Sequence, residues 1–201
     1  STLQNIRFIE PTGTNLVELD LNSTSVNDES LKNILKHLPK LTVLILQNCS
    51  NLIEPMIKSE TLEKLDLGYC TQLSKPTIEC PKCKILDMRD SKITDEVLLK
   101  NILKYVNESI VTMILNGCNQ LKEPLISQCN QLQELHLAYC ESLSKPIIMD
   151  NPAIKFVDLR LSTNVDKEHL KQCIPSCKLL ETVFIGTEVD NNLIEILKEQ
   201  K

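Results

Sequence analysis

Tryptophan is absent from this 201-residue chain, and aromatic residues make up only 3% of it. Platforms for stacking nucleic-acid bases are therefore scarce. Arginine is scarce too: Arg7, Arg89 and Arg160 stand against nineteen lysines. The formal net charge of -5 and the pI near 5.3 have the wrong sign for a phosphate-binding surface. Only four glycines occur, and they are dispersed, so no glycine-rich phosphate loop is present. No apolar run reaches membrane-spanning length, and the opening residues do not read as a secretory signal. Nucleic acid and membrane are thereby set aside as partners.

What the chain does have is a repeated phrase, apolar-x-x-apolar-x-apolar. Copies begin at Leu16, Leu41, Leu62, Cys83, Ile110, Leu132, Ile154 and Leu180, at spacings of 25, 21, 21, 27, 22, 22 and 26 residues. A period of this size marks a solenoid, whose units cannot bury their apolar faces alone and must stack. Stacked units imply an extended surface in place of a closed pocket.

Two kinds of unit alternate. The long ones, starting at Leu16, Cys83 and Ile154, carry helical stripes. Leu31, Ile34, Leu35 and Leu38 fall at i, i+3, i+4 and i+7, as do Leu99, Ile102, Leu103 and Val106, and then Leu170, Cys173, Ile174 and Cys177. Leu193, Ile196 and Leu197 begin the same stripe again. Asn27 or Asp28, Thr94 and Asp166 are the expected helix caps. The short units carry Pro55, Pro76, Pro124 and Pro146, which disfavour a long helix and predict an extended or 3₁₀-like return. Residues 62–78 and 132–148 are near copies, with Tyr-Cys and Ser-Lys-Pro at the same offsets, so a block of three units was duplicated. The expected organisation is a partial capping repeat over 1–15, holding Leu3, Ile6 and Phe8, followed by an array of eight units over 16–201.

The nine cysteines take their places from the repeat. Cys49, Cys70, Cys118 and Cys140 each follow the last apolar position of a phrase by three residues, and Cys80, Cys129 and Cys177 each precede a phrase by three. Cys83 opens a phrase, and Cys173 lies in a helical stripe. Each place suits a small buried side chain. Cys80 and Cys83 have Cys-x-x-Cys spacing, but a zinc site needs a second ligand pair, and Cys173 with Cys177 is three units further along. No metal, cofactor or disulfide framework is expected, and free thiols suit a reducing compartment, cytoplasmic or nuclear.

The pattern L-x-x-L-x-L-x-x-C-x-x-L, in residues 41–52, 62–73, 110–121 and 132–143, resembles leucine-rich repeats of the cysteine-containing subclass. Ser91-Lys92-Ile93-Thr94-Asp95-Glu96 is similar to that subclass's turn into its helix. The resemblance implies an α/β fold: a curved solenoid with a parallel sheet on the concave face and helices or irregular segments on the convex face. In F-box members of the family such an array selects a substrate for a ubiquitin ligase. No F-box segment is evident here, and the short proline-bearing units depart from that family's longer helical ones.

On the expected concave face, outward positions form columns across neighbouring strands. One column reads Asp20, Ile45, Asp66, Asp87, Ile114, His136, Asp158 and Phe184; the one before it holds Glu18, Val43, Lys64, Ile85, Thr112, Glu134, Phe156 and Thr182. The one after holds Asn22, Gln47, Gly68, Arg89, Asn116, Ala138, Arg160 and Gly186. Carboxylates and apolar residues are thus expected to face solvent together. Asp87 with Arg89, and Asp158 with Arg160, either pair with each other or meet a partner; the exposed β-branched and aromatic residues either favour strands or make a contact patch. Tyr69 and Tyr139, in register three units apart, serve packing or contact. The expected contact residues are Asp66, Tyr69, Asp87, Arg89, Ile114, His136, Tyr139, Phe156, Asp158, Arg160 and Phe184.

His136 has Asp158 one strand away and Asp87 two, yet no serine or cysteine nucleophile lines up beside it. His37 and His169 fall in helical segments. The reading is therefore a non-catalytic module that binds a protein partner on its concave face, as a monomeric array or part of a larger complex. Substrate selection for a ubiquitin ligase is its first setting. A cytosolic effector or scaffold of a host-associated microbe is its second, since lysine, asparagine and isoleucine richness suggests an AT-rich gene.

Overall fold

Each phrase supplies one strand, and period-two alternation decides which side chains face the core. The structure, a computed structural model, describes residues 15–186 and the backbone of 188–189. In chain order it begins β1 (Glu18–Asp20), α1 (Asp28–Leu35), β2 (Val43–Ile45), β3 (Met56–Lys58), β4 (Lys64–Asp66), β5 (Thr77–Glu79) and β6 (Ile85–Asp87). A composite helix α2 over 95–106 follows, then β7 (Thr112–Ile114), β8 (Leu125–Ser127), β9 (Glu134–His136) and β10 (Ile147–Met149). The described chain closes with β11 (Phe156–Arg160), α3 (Lys167–Cys173), β12 (Thr182–Gly186) and β13 (Glu188–Val189). The capping segment of Leu3, Ile6 and Phe8 and the stripe of Leu193, Ile196 and Leu197 lie outside the described residues.

The architecture is α/β with a large parallel sheet. Strands β1, β2, β4, β6, β7, β9, β11 and β12 lie side by side in chain order, all parallel, and β13 pairs antiparallel to β12. The register is constant, so that Leu44, Leu65, Leu86, Met113, Leu135 and Val157 align across the sheet. Together with Leu46, Leu67, Met88, Leu115, Leu137 and Leu159 they are fully buried. Each such side chain contributes about 1.5–3 kcal/mol relative to exposure.

The helices and four short strands form the second layer. The extended return expected after each proline is present, and it goes further: β3 pairs with β5 and β8 with β10, as two parallel two-stranded sheets. Proline has no N–H to leave unpaired, while its carbonyl still accepts. Thr77 N–H donates to Pro55 O and Ile147 N–H to Pro124 O, both at 2.9 Å. Ile57, Ile78, Ile126 and Ile148 point inward from these strands and join the main core.

Asn27, Thr94 and Asp166 are the N-caps, their side chains accepting the N–H of Ser30, Val97 and His169. Asp28 has another task. Its two oxygens accept the N–H groups of Ile53 and Glu54 in the next unit at 3.1 and 3.0 Å, and Asp95 does the same for Lys122 and Glu123, both at 3.0 Å. One stripe requires correction: Leu99 is exposed, and Leu98 is buried in its place with Ile102, Leu103 and Val106. The chain is π-helical over Leu98–Leu103. That wider turn holds an extra residue and breaks the 3.6-residue phase on which the stripe was read.

All nine cysteines are buried free thiols. Their columns donate as well as fill space. The thiols of Cys49, Cys70, Cys118 and Cys140 donate to the carbonyls of Leu21, Leu46, Met88 and Leu115 at 3.1–3.2 Å, each in the preceding stacked strands. Among the described residues, no helix is long and apolar enough to cross a membrane.

Candidate functional site

The outward columns of the main sheet are where the structure brings the expected contact residues together, and it alters how several are presented. Asp66, Asp87 and Asp158 were expected to face solvent, but all three are buried. Each carboxylate folds back onto its own strand end. Asp66 accepts Gly68 N–H at 3.0 Å and Gln47 Nε2 at 2.6 Å. Asp87 and Asp158 accept the backbone N–H of Arg89 and Arg160 at 3.1 and 3.0 Å. Of the expected carboxylates, Glu18, Asp20 and Glu134 are the exposed ones. The apolar column is also less open than expected: Val43, Ile45, Ile114, Phe156 and Phe184 are half-buried, and Ile85 alone is exposed. Adjacent strands only about 4.8 Å apart shield one another's side chains.

Both arginines are forked onto their aspartates. Arg160 Nε and Nη2 donate to Asp158 Oδ1 and Oδ2 at 2.9 and 2.7 Å. Arg89 Nε reaches both Asp87 oxygens at 3.0 and 2.9 Å, with Nη2 also bonded to Oδ2. Burial pulls the Asp158 carboxyl up, but the Arg160 guanidinium and N–H outweigh it and hold the group below its ordinary value. The bond to Asp87 likewise holds Arg89 above its usual range. The arginine side chains themselves remain 32% and 47% exposed.

Tyr69 and Tyr139 flank these pairs. Each donates its backbone N–H to the carbonyl of the neighbouring arginine at 2.9 Å. The Arg89 guanidinium lies 5.8 Å from the Tyr69 ring centroid, and Arg160 lies 4.9 Å from that of Phe184. Both tyrosines are exposed and sit at φ 60°, in the left-handed region. The same turn position holds Ser23, Asn48, Asp90 and Gly117 in other units, also at positive φ. Those small or turn-forming residues tolerate it better than a tyrosine does.

No family model and no curated protein matches the chain.

The second half of the face is the more elaborate. His136 packs on Phe156 with ring centroids 5.2 Å apart, and Phe156 meets Phe184 edge-on at 5.5 Å. His136 Nε2 is 3.7 Å from Glu134 on its own strand, and Asp158 is its register partner on the next strand, as expected. Register places Ile114 between Asp87 and His136, so it links the two halves of the face. Beside this cluster a hollow of about 290 Å³ is lined by Asn116, Ala138, Tyr139, Asp158, Arg160, Leu161 and Gly186. Leu161 was not expected. It is exposed, at φ 60°, in the turn position of Tyr69 and Tyr139. A bulky residue where other units place Ser, Asn, Asp or Gly was the signal in the sequence.

Proposed function

We propose that the chain is a leucine-rich-repeat module that binds a protein partner on the outward face of its main sheet and carries out no reaction there. The observation that supports this best is the joined set of His136, Phe156, Phe184 and Arg160 beside the hollow that Tyr139 and Arg160 line. Half-buried aromatic rings and a stacked arginine on an exposed face are the composition of interface hot spots. Selecting a substrate for a ubiquitin ligase is the setting that the family resemblance favours; a cytosolic effector or scaffold is the alternative.

Site-specific photo-crosslinking tests the reading. A crosslinking amino acid at Phe156 or Phe184 should capture one partner from cell extract, and the same group at Met56, on the second layer, should not. The combined substitution Arg89→Lys and Phe156→Ala, which keeps a cation beside the buried Asp87, should abolish that capture while the thermal midpoint falls by only a few degrees. Capture from Met56 alone would move the binding face to the other layer.

A further inference from the structure

The face carries one motif twice. Tyr69, Asp87 and Arg89 occupy the positions that Tyr139, Asp158 and Arg160 occupy three strands later, and the details agree. In each set the aspartate is buried, the arginine is forked onto it, the tyrosine is exposed at φ 60°, and the tyrosine N–H bonds to the arginine carbonyl. A small residue just past the end of the preceding strand, Gly68 or Ala138, stands near each arginine.

We infer that the two sets are paired subsites for carboxylate side chains at positions i and i+4 of an extended acidic segment of the partner, an inference that rests on the sheet-face reading above. A guanidinium has five donors, and the aspartate takes those on Nε and one on Nη2. The remaining donors lie on a planar group that matches a second carboxylate two atoms to two; at Arg89 the Tyr69 side chain shares them. The buried aspartate fixes that group in place, so little rotamer freedom is lost when a ligand binds.

Formal charge on this part of the face is near balance, Lys64, Arg89 and Arg160 against Asp66, Asp87, Glu134 and Asp158, so the preference for an anion comes from which groups are exposed. Over β4–β12 the carboxylates of the aspartates are buried and bonded, while both arginine side chains are partly exposed. Glu134 is the exposed carboxylate of these strands' outward columns, and it faces His136. The tyrosines add a second argument. Left-handed backbone is costly for a bulky residue, and at Tyr69 and Tyr139 the chain accepts it beside an arginine, as it does at Leu161 beside Gly186.

Spacing sets the length of the segment. Strand β6 is followed by β7, β9 and β11, so the two arginines are three strand spacings apart, about 14 Å. In an extended chain, residues i and i+4 lie on one side and about 13 Å apart. Residues i and i+3 point to opposite sides.

Panning a random linear-peptide phage library on the folded chain tests this. The expected result is enrichment of peptides with Asp or Glu at i and i+4. Fluorescence anisotropy on synthetic versions should show binding weakened about tenfold when one acid becomes its amide, or when Arg89 or Arg160 becomes Lys. Arg→Lys keeps the charge beside the buried aspartate, so the fold is retained while the second planar edge is lost. Moving the second acid to i+3 should weaken binding at least as much. Enrichment of lysine-rich peptides, no enrichment, or equal binding at i+3 and i+4 would overturn the inference. Peptides of other composition whose binding is lost in Phe184→Ala would leave the sheet-face reading standing and remove this one. Peptides indifferent to every sheet-face substitution would remove both.

Discussion

Ser162 stands in the column one unit after Cys140, and the two residues meet. The Ser162 hydroxyl accepts the Cys140 N–H at 3.0 Å and donates to the Leu137 carbonyl at 2.7 Å, while the Cys140 thiol donates to the Leu115 carbonyl at 3.2 Å. The column therefore selects a small donor aimed at a carbonyl in the preceding strands, and sulfur is one way to supply it. Cys140→Ser should lower the unfolding free energy by about 1 kcal/mol or less in urea melts, because the hydroxyl inherits the acceptor. Cys140→Val, similar in size but without a donor, should cost a further amount of about 0.5–1.5 kcal/mol by removing one of two donors to the Leu115 carbonyl, which keeps the Cys118 N–H. Equal losses in the two variants would mean that volume alone matters in this column.

The same thiols make the fold sensitive to alkali. Burial pushes Cys70, Cys80, Cys83, Cys129 and Cys140 from 9.0 up to about 12. The folded chain thus holds protons that the unfolded chain releases, and the stability involved is complete below about pH 9 and lost as pH rises toward 12. Each thiol adds a slope of up to about 1.4 kcal/mol per pH unit in that window, so a few together suffice to unfold the chain. Denaturant midpoints measured from pH 7 to 10.5 should stay flat and then fall steeply. Iodoacetamide at pH 8 should leave the native thiols largely unmodified and label all nine after unfolding. Rapid native labelling of Cys140 would contradict the burial.

The main sheet was legible because one period-two phrase dictates both strand and facing, and Leu44, Leu65 and Leu86 sit where that rule puts them. The caps were legible for a similar reason, since Asn27, Thr94 and Asp166 act within one turn of themselves. What depends on a neighbouring unit was not. The pairing of Ile57 with Ile78 makes strands of segments marked only by a proline. The choice between Leu98 and Leu99 rests on a π turn that no local spacing encodes. Alternation correctly put Asp66, Asp87 and Asp158 on the outward face. It could not show that their short side chains would turn back to accept their own strand's N–H groups and be covered by the next strand. The three aspartates were thus placed by column, and their exposure was misjudged by contact.

Arg160 shields a carboxylate that would be hard to bury alone. Arg160→Ala leaves Asp158 with the backbone N–H of residue 160 and without its guanidinium, and should lower the thermal midpoint measurably. Adding Asp158→Asn should recover part of this, because the neutral amide needs no guanidinium. Since the folded-state carboxyl is held below its ordinary 3.8, the pair's contribution is present above that value and lost as pH falls through the depressed one. Wild-type stability should therefore drop below about pH 4 more steeply than that of the Asp158→Asn, Arg160→Ala double variant, as followed by circular dichroism. A double variant less stable than Arg160→Ala at neutral pH would show that the aspartate stabilises the turn without its partner.

Asp95 fastens the helical unit to the proline-bearing unit that follows, with one oxygen for each of two successive N–H groups, Lys122 and Glu123. Asp28 repeats this clamp on Ile53 and Glu54. In the third long unit the residue after the cap is Lys167, and the unit that follows it lacks the proline segment. The acid is thus found where there is a proline-bearing neighbour to hold. Asp95→Ala should lose both bonds and about 1–3 kcal/mol. Asp95→Asn is the sharper test, because its amide nitrogen cannot accept and would face an N–H donor. It should lose nearly as much as alanine, whereas at an ordinary N-cap asparagine is as good as aspartate. Hydrogen exchange should show the loss at Lys122 and Glu123 before it shows in the helix cap at Thr94. An Asp95→Asn variant as stable as wild type, with those two amides still protected, would mean that the clamp needs only one oxygen.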